Sequence, residues 1–445
     1  MSENSEKIYE AVTNISDELV ENASAKRRRP RRAWYMSAVA ALLVVVIAVA
    51  LFRPGDGASA LAITEAKYDD YVRLPDDITT PGGCFEALTA QFLSGAGEEN
   101  AVLSPVNIYM ALAMLAELTD GESRAQLLDL IGADSVEALR EQASAVWRAC
   151  SRDEEEIQSV LASSVWLRDD LGYVQETMDT LANTYYASSY RGEMGSGEIN
   201  RAIQSWLNEQ TRGLLEEQAA TIETDPLTVL LLATTIYYSA QWTDEFNEER
   251  NYTDVFHAPS GDVDTEYMYT GRFMDYYSGE GWGAVRLSLR GGNGMWFILP
   301  DEDVSVDALL EDDDVMRLMS AGEADEGEYV RVYFSVPKFD IATQLDLIEG
   351  LMELGVTDVF DSSVSDFTPM TTDAHEICVT KATHAARVKI DEEGVEAAAF
   401  TVLDGPTSMK PPEREIYFTL DRPFLFAISS QDGLPLFAGV VNQPG

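Results

Sequence analysis

The chain has 445 residues, of which 46% are hydrophobic and 24% charged, so it can form a large core and is not disordered over most of its length. Acids outnumber bases 77 to 31, and the net charge of −46 argues against nucleic acid as a partner because phosphates would be repelled. The three cysteines have no metal-ligand spacing, and three histidines leave little for metal or triad chemistry. A disulfide scaffold and a zinc enzyme are therefore disfavoured, and no cofactor or metal is expected.

An uncharged stretch of twenty residues, 33–52, is long enough to cross a bilayer as a helix. Six basic residues lie just before it, between Lys26 and Arg32, and positive flanks remain in the cytoplasm. We therefore predict a cytoplasmic tail (1–32), a single transmembrane helix (33–52) and an outer part that begins with a linker (53–82). This topology is typical of a cell-membrane protein, and it favours a Gram-positive bacterium as the source.

A cleaved signal peptide is the alternative for this segment, since Ala58-Ser59-Ala60 resembles a cleavage site. The basic region before the apolar run would then be more than thirty residues long, which favours the uncleaved anchor. Residues 1–32 carry nearly equal numbers of acids and bases, so almost all of the net charge lies in the outer part. That surface should attract cationic proteins, and salt should screen the attraction.

Beyond the linker, helical and strand patterns alternate along the chain. Apolar residues recur at helical spacing from Phe85 to Phe92, a short strand follows Asn100, and Ser104-Pro105 opens a further helix. The later expectations are helical stretches at 155–167, 198–214 and 342–356, and strands at 228–242, 329–339, 384–391, 415–429 and 434–442. Helices followed mainly by strands predict an α+β domain of about 360 residues.

Several blocks of sequence resemble the serpin superfamily, and they occur in the family's order. They are ENAVLSPVNIYMALAML (99–115), IYYSAQW (236–242), VPKFDI (336–341), LGVTDVF (354–360), DFTPM (366–370), KIDEEGVEAAAF (389–400) and FTLDRPFLFAI (418–428). The resemblance covers residues 83–445. It implies an α+β domain with three β-sheets, eight or nine helices and an exposed reactive loop.

The resemblance also implies a function. A serpin is not an enzyme but a monomeric suicide substrate: a serine protease cleaves its loop, is held as an acyl-enzyme, and the cleaved loop enters the largest sheet as a new strand. The predicted hinge of that loop consists of Glu392, Glu393, Gly394, Val395, Glu396, Ala397, Ala398 and Ala399.

The hinge residues suit burial in a sheet. Strand side chains alternate, so an inward Val395 places Ala397, Ala399 and Thr401 on the same face, and none of these is charged or proline. Gly394 suits a backbone position that must swing. Inhibitory members commonly have Thr or Ser where this chain has Val395, a departure that leaves insertion possible but bears on its rate.

Counting from Gly394 as in inhibitory members places the cleaved bond between Ser408 and Met409; a slip of one residue would give Met409–Lys410. The residue on the acyl side is uncharged in either case, whereas a trypsin-like pocket requires Arg or Lys. The expected targets are therefore elastase-like or subtilisin-like serine proteases.

Five further residues resemble positions where the sheet opens to admit the loop: Ser104, Asn107, Trp242, Lys338 and His384. Asn107 and Thr234 stand where the family commonly has Ser and Asn, so this polar cluster should be wired differently here. Lys338 resembles the lysine of a pair with Glu392.

Three other functions remain open. A non-inhibitory serpin would act as a binding or chaperone module, but such members usually carry charges, proline or bulky residues in the hinge. A tethered hydrolase would need a nucleophile motif, and no G-x-S-x-G is present. The composition neither supports nor excludes a surface adhesin.

Overall fold

The computed structural model describes residues 60–76, 78–154, 156–373, 377–395 and 414–444. The predicted transmembrane helix at 33–52 lies outside these ranges. Among the helices of the described ranges, none combines the length and apolarity needed to cross a membrane.

Seventeen strands occur in the described residues. They are β1 Leu61–Thr64, β2 Ala101–Leu103, β3 Arg152–Asp153, β4 Ile157–Arg168, β5 Ala187–Gly192, β6 Leu230–Gln241, β7 Tyr252–Ala258, β8 Gly261–Gly279, β9 Trp282–Ser288, β10 Gly294–Pro300, β11 Glu328–Pro337, β12 Phe339–Asp346, β13 Thr383–Ile390, β14 Gly394–Val395, β15 Glu415–Thr419, β16 Phe424–Ser429 and β17 Pro435–Val441.

Ten α-helices lie in the same ranges. They are α1 Gly82–Leu93, α2 Pro105–Leu118, α3 Gly121–Ile131, α4 Val136–Cys150, α5 Gln175–Thr184, α6 Gly197–Gln210, α7 Glu216–Ala220, α8 Val306–Leu309, α9 Asp313–Ala321 and α10 Ile348–Glu353. The resemblance implied eight or nine helices; the difference lies within the short helices, since α7 and α8 have only about one turn each.

One sheet of eight strands has the order β1-β5-β4-β6-β14-β13-β12, with β3 beside β4. Its centre is the antiparallel pair β4 and β6, in register from Ile157 opposite Ala240 to Leu167 opposite Leu230. These long strands are rich in buried apolar and small residues, as expected for strands covered on both faces. The two-residue strand β14 lies between β6 and β13.

The remaining strands form a second network in the order β15-β11-β8-β9-β10-β16-β17-β2, with β7 beside β8. The nineteen-residue β8 pairs with β7 and β11 along most of its length and with β9 only at its end. It therefore joins two sheets, β7-β8-β11-β15 and β9-β10-β16-β17-β2, which together with the first sheet account for the three predicted.

The helix α2 lies in the core, where nearly every one of its side chains is buried. A helix that is apolar all round is stable only when surrounded by protein. Its N-terminus is capped by Ser104, whose hydroxyl accepts a hydrogen bond from the Asn107 amide at 3.3 Å, and Pro105 occupies the first helical position. The predicted start of this helix is confirmed.

Two secondary-structure predictions were wrong. Residues 157–168 form the central strand β4 rather than a helix, because a strand buried on both faces lacks the alternation that identifies half-buried strands. The stretch 342–356 begins as strand β12 and becomes helical only in α10. Gly355, with a φ of 93°, follows that helix as expected.

Part of the predicted linker, from residue 60, packs against the domain. Strand β1 pairs with β5, the Tyr68 ring stacks on Trp147 at 5.6 Å between centroids, and the Arg73 guanidinium pairs with Asp432 at 2.7 Å. The sequence gives no sign of these contacts because each joins residues that are far apart in the chain.

Candidate functional site

The hinge begins inside the sheet. Gly394 lies opposite Gln241, and Val395 lies opposite Ala240 on one side and Ile390 on the other. Val395 is buried in the hydrophobic core together with Ala240 and Ile390. These two hinge residues are therefore not exposed: they are the first rung of a strand between β6 and β13.

Glycine is required at position 394 by close approach of the backbone. A Cβ at this position would clash with the carbonyl oxygen of Ala240 and lie 2.8 Å from the Cα of Gln241. Any side chain would therefore push β14 away from β6.

A tight turn, held by Asp391, connects β13 to β14. The carboxylate of Asp391 accepts hydrogen bonds from the amides of Glu393 and Gly394 at 3.0 and 3.2 Å, and the Asp391 amide donates to the Gly394 carbonyl at 3.0 Å. Trp242, the residue after β6, holds the same turn. Its indole N–H donates to the Asp391 carbonyl and its backbone amide donates to the Glu393 carbonyl, both at 2.9 Å. Trp242 is buried beside Phe246 and Phe297, so this end of the sheet is anchored in the core.

Lys338 and Glu392 form an ion pair at the base of the hinge. The ammonium of Lys338 donates to Glu392 Oε1 at 2.6 Å and to Glu266 Oε1 at 3.1 Å, and Asn251 Nδ2 donates to both carboxylates. Burial alone would raise the pKa of Glu392, but the hydrogen bonds from Lys338 and Asn251 outweigh it and lower that pKa. The hinge is thus tied to β8 through Glu266 and to the junction between β11 and β12 through Lys338.

A second polar group lies further along β13. The Ser104 amide donates to His384 Nε2 at 2.9 Å, which makes this ring nitrogen an acceptor and His384 neutral. Burial lowers the pKa of His384 to about 4. Asn107 is buried beside Ser104, and its Nδ2 has no hydrogen-bond partner among the described residues.

Beyond Val395, β6 and β13 have no backbone pairing with each other in the described residues, although Cα atoms of the two strands come within 8 Å. Thr234 on β6 and Thr383 on β13 line two small cavities of about 40 Å³ each, one against α2 and the other against α6. Within the described residues, β6 and β13 join through β14 rather than directly. We call the unpaired boundary between Thr234 and Thr383 the slot; it lies in line with β14, and one of these cavities borders it on each face of the sheet.

The structure brings the predicted sheet-opening residues into two groups. Trp242 and Lys338 contact the hinge turn, whereas Ser104, Asn107 and His384 lie beside the slot. Glu392, Glu393, Gly394 and Val395 are described, but Glu396, Ala397, Ala398, Ala399, Ser408 and Met409 lie outside the described residues.

Sequence reasoning missed three residues that hold the hinge in place: Asp391, Asn251 and Glu266. An available signal for Asp391 was its position three residues before a glycine, which is typical of a turn held by a side-chain carboxylate. Asn251 and Glu266 give no local signal because they come from distant segments: Asn251 donates to Glu392, and Glu266 accepts from the same donors, Asn251 and Lys338.

Comparison with known proteins agrees with this geometry. Residues 86–444 match the family model described as Serpin (serine protease inhibitor). The chain is 28% identical over 356 residues to the leukocyte elastase inhibitor of Homo sapiens, covering 78% of this chain and 93% of that protein. It is 27% identical over 367 residues to Serpin-Z2B of Triticum aestivum, covering 78% and 90%.

Solved structures give the same fold. The thermophilic serpin tengpin in its native state superimposes with a TM-score of 0.77 at 23% identity, covering 87% of this chain and all of that one. At this identity the likeness concerns the fold alone.

Proposed function

The chain belongs to the serpin family, and from this premise we propose that it inhibits serine proteases as a suicide substrate. The protease cleaves the loop that follows Val395, remains attached as an acyl-enzyme, and is trapped when the loop enters the sheet. The observation that carries this proposal is the position of β14, which already occupies the first rung between β6 and β13.

The register of β14 defines how insertion would proceed. Continued along both neighbouring strands, it would place Ala397 between Tyr238 and Val388, Ala399 between Ile236 and Ala386, and Thr401 between Thr234 and His384. These neighbours, apart from the last pair, are buried core residues. The inward side chains of the loop would therefore be small or apolar wherever their neighbours are buried, as burial requires.

The energy for trapping would come from new backbone hydrogen bonds. Each contributes about 0.5–1.5 kcal/mol net, so insertion of ten residues releases on the order of 10 kcal/mol. Glu396 would fall on the opposite face, beside the exposed Lys389, where its charge remains in water. No inward position up to Leu403 carries a charge or a proline.

The proposed targets are elastase-like or subtilisin-like proteases, because Ser408 is small and uncharged and the alternative Met409 is apolar. The related human protein is named an elastase inhibitor, which supports the same class. The strongly acidic chain would favour cationic proteases among them through long-range attraction.

Incubation of the chain with elastase followed by denaturing electrophoresis tests this function. We expect a covalent band at the summed mass of chain and protease, together with some cleaved chain. Cleavage without a covalent band would indicate the alternative, a non-inhibitory serpin that serves as a binding or chaperone module. An unreacted chain would contradict the assignment of the target class.

We also propose that residues 33–52 anchor the chain in a bacterial cell membrane with the serpin domain outside. The apolar length and the preceding basic cluster support this topology. Protease added to intact cells should remove the domain and spare the first thirty or so residues. Recovery of a secreted form that begins after Ala60 would instead indicate a cleaved signal peptide.

A further inference from the structure

A surface cavity of about 440 Å³ lies beside the C-terminal end of α9 and is open to solvent. Four parts of the chain line it: residues 73–76 and 78, β9, residues 321–323, and the end of β16 with the β16–β17 connection. It shares no residue with the hinge or the slot. We call it the Arg286 cavity after the side chain that dominates its chemistry.

Arg286 projects from β9 across Gly294 of the neighbouring strand. A Cβ at Gly294 would clash with the guanidinium, so the glycine is what allows the side chain to lie against the backbone there. The cross-strand neighbour of Gly294 on β16 is Ser429, a buried serine that lines the same cavity. The guanidinium is thus held in place by the sheet and faces the cavity.

The Arg286 guanidinium has no hydrogen bond or ion pair with any described residue. Burial lowers its pKa, and the only groups that oppose this effect are the hydroxyls of Tyr277 and Tyr238, not a carboxylate. The contrast within the same cavity is Arg73, whose guanidinium pairs with Asp432 at 2.7 Å. A half-buried cation without a counterion, in a chain of net charge −46, is unusual because desolvation is costly when nothing offsets it.

Guanidinium geometry selects the complementary group. Its planar fork of N–H donors matches a carboxylate through two parallel hydrogen bonds. A dianion such as phosphate fits the rest of the cavity poorly, since Asp76, Glu323 and Asp432 also belong to the lining. Asp432 is occupied by Arg73 and by the Leu74 amide, which leaves Asp76 and Glu323, both exposed, as the carboxylates at the rim.

We propose that the Arg286 cavity binds a small zwitterion of the amino-acid class, with its carboxylate on the Arg286 guanidinium and its ammonium group facing Asp76 and Glu323. The volume lies within the range of small-molecule sites and accommodates a side chain as well as the α-carbon. The site is independent of the protease-inhibitor function.

Isothermal titration of the full chain tests the proposal, with lysine, acetate and inorganic phosphate as probes at equal ionic strength. We expect lysine to bind more tightly than acetate and phosphate not to compete with lysine. Arg286→Ala should weaken lysine binding about tenfold or more, since a charge-assisted pair is lost. Arg317→Ala removes an exposed arginine outside the cavity and should leave binding unchanged.

Two further variants keep the test valid if Arg286→Ala does not fold. Glu323→Gln changes an exposed side chain and should weaken lysine binding while leaving acetate binding unchanged. Arg286→Lys keeps the positive charge but loses the planar fork of donors, so its affinity for lysine should lie between that of wild type and that of Arg286→Ala. The proposal is overturned if wild type does not bind lysine, if neither Arg286 nor Glu323 variants change the affinity, or if phosphate binds as tightly as lysine.

Discussion

His384 shows how one buried residue links the slot to pH. Its pKa is about 4 in the folded chain against 6.5 when exposed, so between these values the unfolded chain binds a proton that the folded chain does not. The contribution of neutral His384 to the free energy of unfolding is fully present above pH 6.5 and decreases as the pH is lowered. It is lost near pH 4, and its total is about 3 kcal/mol.

We therefore expect the free energy of unfolding to fall more between pH 7.5 and pH 4.5 in wild type than in His384→Gln. Urea titrations at the two pH values measure this difference. His257→Gln is the matched control: this histidine is exposed and the hydrogen bond with Asp262 raises its pKa, so its loss should not flatten the pH dependence. If the free energy of unfolding fell equally in wild type and His384→Gln between pH 7.5 and pH 4.5, His384 would not be a buried, neutral histidine in the folded chain.

The acyl-side residue of the loop should determine which proteases are inhibited. Ser408→Arg is expected to shift inhibition from elastase-like to trypsin-like enzymes, because the introduced guanidinium meets the carboxylate of a trypsin-like pocket. Mass spectrometry of the released C-terminal fragment should show Met409 as its first residue in wild type. A fragment beginning at Lys410 would move the site by one residue, and any start elsewhere would contradict the assignment.

Among the elements, β14 is the strand that must lengthen if loop insertion traps the protease. Ala397→Arg would place a charge between Tyr238 and Val388 in the inserted strand, at a cost of several kcal/mol for an unpaired buried charge. We expect this variant to be cleaved at the same bond as wild type but to release active protease. The yield of covalent complex on a denaturing gel, relative to cleaved chain, measures the change.

Glu396→Arg is the control for that variant, since it introduces the same side chain on the outward face and should retain complex formation. Equal yields of complex from wild type and Ala397→Arg would show that insertion through this register does not trap the protease.

Sequence reasoning was most successful where a pattern is local. The cap of α2, the strands β6 and β11 and the C-terminal strands follow from residues adjacent in the chain. It failed for β4, because burial on both faces removes the alternation that marks a strand. The Lys338–Glu392 pair was anticipated only through family resemblance, and its partners Asn251 and Glu266 come from distant segments.

At the scale of the whole molecule, β6 and β13 of the intact chain are unpaired along the slot in the described residues, beside a strand that has only begun to form. Filling the slot adds backbone hydrogen bonds and buries apolar side chains without loss of existing pairs. The cleaved chain should therefore have a clearly higher Tm than the intact chain, as measured by circular dichroism. The cleaved Ala397→Arg variant should gain less, whereas an unchanged Tm after cleavage of wild type would indicate that the slot remains empty.

The structure of the cleaved chain is the most direct test of loop insertion. We predict a strand that continues from Val395 between β6 and β13, with Ala397 flanked by Tyr238 and Val388 and Thr401 flanked by Thr234 and His384. A cleaved loop that stays outside the sheet, with β6 and β13 still joined only through Gly394 and Val395, would contradict it.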